Sequence, residues 1–134
     1  FIDGESPFKI YGGDQTRAFC GIDDGALGTI QAMECEDAKH EIFHIGNDVE
    51  ITIEDLVKET GNYFNYQGNY ELAPTYPGSV SRRCPDLSKA RKMLGFNPKN
   101  DWKEALKKTL DWYVNYYKEN PRKRFFEGPN KFYK

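Results

Sequence analysis

The strongest pattern in the sequence is an apolar stripe at helical spacing near the C-terminal end of the chain. The stripe consists of Trp102, Leu106, Leu110, Tyr113 and Tyr117. Asp101 and Glu104 open the segment in the arrangement of a helix-start box. The spacing predicts a helix over 102–117 with one buried face, so the rest of the chain must supply a core against which that face packs.

A second helical pattern lies in the first quarter of the chain and predicts a helix over 23–34. Its apolar positions are Leu27, Ile30 and Met33. Asp23 or Asp24 is a natural N-cap for this helix. Its two internal glycines weaken a helix by about 1 kcal/mol each relative to alanine, unless they permit close packing against a neighbour.

Two further segments, 52–61 and 87–94, combine helical spacing with signals at both ends. The signals are Thr52 with Asp55 as a capping box and Gly61 as a stop for the first helix, and Asp86 as a cap and Gly95 as a stop for the second. Together with the two helices above, the sequence therefore predicts four helices.

Four stretches are rich in β-forming residues and separate the helices. They are 7–13, 16–22, 41–47 and a less regular stretch at 70–73. The stretch 41–47 is a nearly continuous apolar run, which is typical of a buried strand. The resulting order, β-β-α-β-α-(β)-α-α, predicts a mixed α/β fold. The irregular connection 62–85 is long, and long connections in compact domains are often functional.

Composition limits the class of protein. The chain has 134 residues, which suffice for one domain with its own core, and its formal net charge of −2 gives no reason to expect a nucleic acid or an anionic membrane as partner. No apolar run approaches the ~20 residues of a membrane span, and no signal peptide is recognised. The three cysteines form no CxxC pair, which favours reduced thiols in the cytoplasm. Because the chain begins with Phe1, we expect it to be a part of something longer.

No complete set of catalytic or metal-binding residues is present. His40 and His44 are four residues apart, but His44 lies in a predicted strand and no third ligand is spaced to join them. The GxSxG, GxGxxG and GxxxxGK[ST] motifs are absent. Catalysis by these residues alone is therefore not predicted.

Three arginines are candidates for anion binding. Arg17 follows a polar turn, and Arg82 and Arg83 stand side by side before Pro85. A guanidinium group offers a rigid fork of donors that suits phosphate, and arginines from separate segments can converge on one diphosphate. The alternative is that all three are solvated surface residues.

Several blocks of the sequence, in order from about residue 7 to 117, resemble a known family. "FKIYGGDQTRAFCGIDDGALGTIQAM", "EIFHIGNDVEITIEDLVKE" and "RRCPDLSKARKMLGFNPKNDWKEALKKTLDWY" are similar to the C-terminal part of NAD-dependent nucleotide-sugar epimerases, dehydratases and decarboxylases. These enzymes are the extended short-chain dehydrogenase/reductases. "QTRAFC" and "RRCPDLSKA" most resemble UDP-glucuronate decarboxylases and their near relatives.

The resemblance implies a substrate-binding C-terminal part that lacks most of the Rossmann domain. In the family, that domain binds NAD and contains a Tyr-x-x-x-Lys pair, which this chain does not have. We therefore expect no catalytic, cofactor-binding or metal-binding residue here, and no turnover by this part alone. The intact enzyme would oxidise a sugar C4 hydroxyl with NAD, followed by epimerisation, elimination or decarboxylation.

The resemblance also assigns substrate-binding residues. The strand at Lys9 to Tyr11 matches the segment whose backbone contacts the nucleotide base. Arg17 and Arg83 match the two arginines that bind the diphosphate or sugar, and Gln15 matches a residue that helps to position the same loop. Arg82 matches a more variable position and is interpreted as a solvated neighbour of Arg83, while Asp24 matches a helix cap.

The expected partner is a nucleotide diphosphate sugar, with no nucleic acid and no membrane, and the intact enzyme is expected to be a homodimer. Without the N-terminal half, we expect exposed apolar surface around Phe43 and Ile45, through which this part could form an oligomer. Residues 1–120 form the binding region in this interpretation, and 121–134 form a basic, aromatic tail. Two alternatives stay open: a stand-alone nucleotide- or anion-binding module, and a structural protein whose basic tail contacts a partner.

Overall fold

The computed structural model describes residues 1, 6–99 and 101–119. In chain order, its elements are β1 (Phe8–Tyr11), β2 (Thr16–Ala18), α1 (Ile22–Glu34), a short 3-10 turn (Glu36–Ala38), β3 (Glu50–Thr52), α2 (Ile53–Tyr63), β4 (Tyr70–Ala73), β5 (Arg82–Arg83), α3 (Ser88–Leu94) and α4 (Trp102–Glu119). All four predicted helices are present, and the mixed α/β class is confirmed. The predicted tail at 121–134 lies outside the described residues.

The strands form two small sheets. β1 pairs in parallel with β4, from Phe8 opposite Tyr70 to Tyr11 opposite Ala73, which confirms the irregular strand at 70–73. In the second sheet β2 lies between β3, to which it is antiparallel, and β5, to which it is parallel. β5 was not predicted, because two residues are too few to show a periodic pattern and their strand character depends on pairing with distant β2.

The most deeply buried cluster consists of Leu87, Ala90 and Phe96, which belong to α3 and its flanking residues. α1 packs closely against this cluster at Gly28. A Cβ atom at Gly28 would lie 2.5 Å from Ile45 Cγ2 and 2.8 Å from Phe96 Cε2. The missing side chain at Gly28 therefore permits close packing against a neighbour, which is one of the two roles that the sequence suggested for the glycines of this helix.

The prediction of a buried strand at 41–47 is wrong. The segment has no strand pairing in the described part of the chain, although Phe43 and Ile45 pack against the cluster around Phe96. Its apolar run has the composition of a strand, but no neighbouring strand is available to bond its backbone. The expected exposed surface is also displaced, because Phe43 and Ile45 are half-buried whereas Ile42 is 83% exposed.

Four of the twelve large apolar side chains that are exposed among the described residues lie on α1. The predicted inner positions Ile30 and Met33 are 49% and 82% exposed, and Ile22 at the start of the helix is 84% exposed. The helical spacing correctly predicted a helix, but few of the described residues pack against this face. Exposed apolar side chains at this density are typical of a surface that contacts another unit.

The helix-start signals were only partly correct. Thr52 and Asp55 form the predicted capping box, in which the Asp55 amide donates to Thr52 Oγ1 at 3.0 Å. Asp24 is not a cap: α1 begins at Ile22 after Gly21, and the buried Asp24 carboxylate accepts a hydrogen bond from the Lys99 amide at 3.1 Å. This long-range contact cannot be inferred from local sequence.

The ends of α2 and α3 show a similar mixture. Gly61 does not stop α2, which continues to Tyr63, and a Cβ at Gly61 would collide with the Tyr70 hydroxyl. α3 begins after Leu87 rather than Asp86, although the Asp86 carboxylate accepts a hydrogen bond from the Ser88 amide at 2.8 Å. α3 does end at Gly95, whose φ of 66° is left-handed.

α4 confirms the strongest sequence pattern. Leu110 is buried, and the other four stripe residues are half-buried. α4 is joined to α2 by a hydrogen bond of 2.6 Å from the Tyr63 hydroxyl to Asp111 Oδ1. Among the described residues, no helix combines the length and the apolar character that a bilayer span requires.

Candidate functional site

The pairing of β2 with β5 places two of the predicted site residues side by side. Arg17 is opposite Arg83, and Thr16 is opposite Arg82. Side chains alternate between the two faces of a sheet along each strand. Arg17 and Arg83 therefore project from one face, and Thr16 and Arg82 project from the other. The adjacent arginines of the sequence occupy opposite faces.

On its face of the sheet, Arg82 binds a carboxylate. Its Nε lies 3.0 and 3.1 Å from the two carboxylate oxygens of Glu50, and its Nη2 lies 2.6 Å from Oε1. Thr16 Oγ1 donates to Glu50 Oε2 at 2.8 Å. The Arg82 guanidinium, followed by the Thr16 hydroxyl, lowers the pKa of the Glu50 carboxyl. Arg82 is exposed as predicted, but its charge is neutralised by an ion pair that the sequence did not reveal.

Arg17 is half-buried and donates only to neutral acceptors. Its Nη2 bonds Gln15 Oε1 at 2.9 Å and the Val80 carbonyl at 2.8 Å. Its Nη1 bonds the Thr16 carbonyl at 2.7 Å and the Ser81 carbonyl at 3.4 Å. Among the described residues, no carboxylate forms an ion pair with Arg17. Its hydrogen bonds therefore fix the position of the guanidinium group without neutralising its charge.

Arg83 is exposed, and within the described residues its side chain makes no hydrogen bond or ion pair. Its register partner Arg17 also lacks a carboxylate, so two positive charges lie at neighbouring positions on one face. Like charges at this spacing repel, and an anion between them would relieve the repulsion. A diphosphate has the charge and the acceptor oxygens for this position.

Gln15 is buried, and both ends of its side-chain amide form hydrogen bonds. Nε2 donates to Thr75 Oγ1 at 2.6 Å, and Oε1 accepts from the Ser79 hydroxyl at 3.0 Å as well as from Arg17. A Cβ at Gly12, whose φ is 61°, would lie 2.9 Å from Gln15 Cδ. Gln15 thus ties the loop between β4 and β5 to the turn that leads into β2.

Lys9 and Tyr11 lie on the exposed face of β1, and Ile10 between them is buried. The Tyr11 ring stacks on the Tyr76 ring, with centroids 5.1 Å apart and planes inclined by 21°. Within the described residues, β1 pairs with β4 only, so its other edge is open. An open edge offers backbone donors and acceptors to a ligand.

The remaining polar and thiol groups of the described residues show no catalytic arrangement. The described part of the chain contains no cluster of three His, Cys, Asp or Glu side chains that could bind a metal ion. Burial raises the pKa of the Cys20 thiol and of the Cys84 thiol. Neither thiol is therefore activated as a nucleophile.

No family model matches the chain. Individual proteins do. The UDP-N-acetyl-alpha-D-glucosaminuronate decarboxylase of Bacillus cytotoxicus is 31% identical over 111 residues, which cover 78% of this chain and 34% of that protein. The UDP-glucuronate 4-epimerase of Thermodesulfobacterium geofontis is 32% identical over 114 residues, which cover 84% of this chain and 35% of that protein.

The fold has solved counterparts as well. The crystal structure of UDP-glucuronic acid 4-epimerase from Bacillus cereus, in complex with UDP-glucuronic acid and NAD, matches with a TM-score of 0.78 and 25% identity. The match covers 87% of this chain and 37% of that one. The chain spans about a third of the length of the curated relatives it matches.

These matches confirm the resemblance to the C-terminal part of NAD-dependent nucleotide-sugar epimerases, dehydratases and decarboxylases. They also confirm the mixed α/β fold as that of a partial extended short-chain dehydrogenase/reductase. The relatives include both decarboxylases and 4-epimerases. The similarity alone therefore does not select one reaction.

Proposed function

We propose that this chain, whose relatives are nucleotide-sugar epimerases and decarboxylases, is the nucleotide-sugar-binding part of such an enzyme. Arg17 and Arg83 bind the diphosphate, and the backbone of Lys9 to Tyr11 contacts the base. Gln15 orders the loop between β4 and β5, which leads to Arg83. The Bacillus cereus structure contains UDP-glucuronic acid, which supports a UDP-sugar as the ligand class.

The observation that carries this proposal is the register pairing of Arg17 with Arg83. In the described residues the two guanidinium groups share one face and neither has a carboxylate partner, whereas Arg82 on the other face does. A surface that served only for solvation would gain nothing from placing two uncompensated charges on neighbouring strands. An anionic ligand supplies the missing countercharge.

The rest of the reaction belongs to residues outside this chain. NAD supplies hydride transfer when bound, but none of the turns among the described residues is a glycine-rich connection from a parallel strand into a helix, so the present residues do not fit that cofactor. In this proposal the intact enzyme is a cytoplasmic homodimer, its sugar chemistry resembles that of UDP-glucuronate decarboxylases and 4-epimerases, and this chain alone does not turn over substrate.

The proposal is tested by titrating the isotope-labelled chain with UDP and following backbone amide signals by NMR. We expect saturable shifts at Arg17, Arg83 and the β1 strand, and a weaker response to uridine, which lacks phosphates. Arg17→Ala and Arg83→Ala should each weaken UDP binding about tenfold, because each removes a charge-assisted hydrogen bond. Arg91→Ala is the control, since Arg91 lies on α3, outside the proposed site, and forms an ion pair with Asp48.

Unchanged UDP affinity in both arginine variants would remove the site assignment. The alternative of a stand-alone nucleotide- or anion-binding module uses the same arginines, so the titration cannot separate the two. The coding sequence upstream of Phe1 does separate them. A strand–turn–helix with a GxxGxxG motif and a Tyr-x-x-x-Lys pair supports the enzyme, and a start codon directly before Phe1 supports the module.

A further inference from the structure

The ion pair between Arg82 and Glu50 spans the three-stranded sheet. Arg82 belongs to β5 and Glu50 to β3, and these strands are the two neighbours of β2 rather than of each other. The guanidinium and carboxylate meet above Thr16, whose hydroxyl also bonds Glu50 at 2.8 Å. The pair therefore fastens one edge strand to the other across the central strand.

β5 has few other attachments. It is two residues long and follows a long connection from β4. The Thr16 amide donates to the Ser81 carbonyl at 2.9 Å, and the Arg17 guanidinium bonds the carbonyls of Val80 and Ser81. Arg83 contributes no side-chain bond within the described part of the chain, so its direction depends on the register of β5 alone. A shift of one residue would send its side chain to the opposite face.

We propose that Arg82 and Glu50 are positioning residues, whose ion pair fixes β5 against β2 so that Arg83 stands beside Arg17. The ligand in this inference, a nucleoside diphosphate, rests on the proposed function, but the fixing of the strand does not. The pair lies on the face away from the proposed phosphates and touches no ligand. Its effect is transmitted through the alternation of side chains along β5.

Long-range electrostatics and positioning of Arg83 predict different changes in UDP affinity when Glu50 or Arg82 is neutralised. Glu50→Gln removes a negative charge near the site, so long-range electrostatics alone would strengthen the binding of UDP. Arg82→Gln removes a positive charge and would weaken it. If the pair positions Arg83, both substitutions weaken the binding of UDP. In that case the double variant is no weaker than either single variant, because one interaction is lost in all three.

The experiment measures the affinity of the chain for UDP and for uridine by NMR titration, in the wild type and the three variants. We expect UDP affinity to fall about threefold in each variant, within the range of an exposed ion pair. Uridine affinity should be unchanged, because β1 is not altered. Arg91→Gln, which breaks the exposed bidentate pair with Asp48, is the control and should change neither affinity. The inference is overturned if Glu50→Gln and Arg82→Gln change UDP affinity in opposite directions, or if neither changes it.

A second measurement needs no ligand. Hydrogen exchange of the amides at residues 82 and 83 should be faster in Glu50→Gln and Arg82→Gln than in the wild type and Arg91→Gln. If the wild type fails to bind UDP, the proposed function is wrong, and this measurement decides the inference by itself. Faster exchange then supports the positioning of β5, and unchanged exchange overturns it.

Discussion

The side-chain oxygen of buried Gln15 accepts a hydrogen bond from Arg17 Nη2 at 2.9 Å, two residues along the chain. The same oxygen accepts from Ser79 in the connection between β4 and β5. One neutral amide thus sets the position of a charged side chain and of the loop beside it. The exposed fraction of Gln15 is only 7%, so its amide depends on these protein partners for its hydrogen bonds.

Replacing Gln15 with leucine should destabilise the chain. Gln15→Leu keeps the approximate volume but leaves the Ser79 hydroxyl, the Thr75 hydroxyl and one Arg17 donor without their partner, which costs about 1–3 kcal/mol in the free energy of unfolding. Urea denaturation followed by circular dichroism measures this change. Gln67→Leu is the control, because Gln67 is exposed and, among the described residues, its side chain bonds Asn65 alone. Equal stability of the two variants would contradict the role of Gln15.

Two glycines of α1 should respond in opposite ways to alanine. At Gly28 the added methyl group meets Ile45 and Phe96, so Gly28→Ala is expected to destabilise by about 1–3 kcal/mol through overpacking. At Gly25 nothing lies within 4 Å of the added atom, and Gly25→Ala should stabilise by up to about 1 kcal/mol through helix propensity. Thermal unfolding of the two variants compares them directly, and a stabilised Gly28→Ala variant would show that the α1 packing is different.

The stability of the chain should fall in acid. In five carboxyl groups, a hydrogen bond from a neighbouring residue lowers the pKa. They are Asp48, Glu50, Asp55, Asp86 and Asp111. A carboxyl whose pKa is lower in the folded state stabilises the fold above its unfolded pKa, and this stabilisation is lost as the pH falls through the folded value. The decrease is therefore expected below about pH 4. Urea midpoints at pH 7, 5 and 3 measure it.

One carboxyl allows this acid effect to be traced to a contact. At Asp111, the Lys107 ammonium is the first cause of the lowered pKa, and the Tyr63 hydroxyl is the second. Tyr63→Phe should therefore raise the Asp111 pKa toward its ordinary value, as measured by the pH titration of its carboxyl carbon in NMR. Tyr66→Phe serves as the comparison, because the Tyr66 hydroxyl bonds the Asn69 carbonyl instead. An Asp111 titration that is identical in both variants would rule out the Tyr63 contact in solution.

The apolar face of α1 should cause self-association of this chain in isolation. Ile22 and Met33 are 84% and 82% exposed, and burying such side chains against a second copy would remove apolar area from water. Met33→Lys should reduce the association without lowering stability. Analytical ultracentrifugation over a range of concentrations measures it, with Gln67→Lys as a control that adds the same charge at an exposed position outside α1. A chain that is monomeric at all concentrations would contradict this expectation.

The features that could be predicted from the sequence are those that depend on neighbours in the chain. The capping box of Thr52 and Asp55 and the stripe around Leu110 are local, and both are present. The same holds for the left-handed stop at Gly95. Helical spacing and turn chemistry therefore located four helices without knowledge of the fold.

The features that were missed depend on residues far apart in the chain. Whether the apolar run 41–47 becomes a strand depends on a neighbouring strand, and β5 exists only because β2 lies beside it. The partner of Asp24 is Lys99, 75 residues away. Likewise, the family resemblance singled out Arg83 over Arg82, but the ion pair of Arg82 with Glu50 and the place of Arg83 beside Arg17 follow only from the register of β5.

The doubled arginine also affects what a change in loop length would do to this site. If a residue were inserted or deleted between β4 and β5 so that β5 shifted by one position, Arg82 could move beside Arg17 and Ser81 would take its place opposite Thr16. The ion pair with Glu50 would be broken, yet a guanidinium group would still face the anion. Such a shift would leave a guanidinium group beside Arg17 but no ion pair to hold β5, so the site would lose its order rather than its charge.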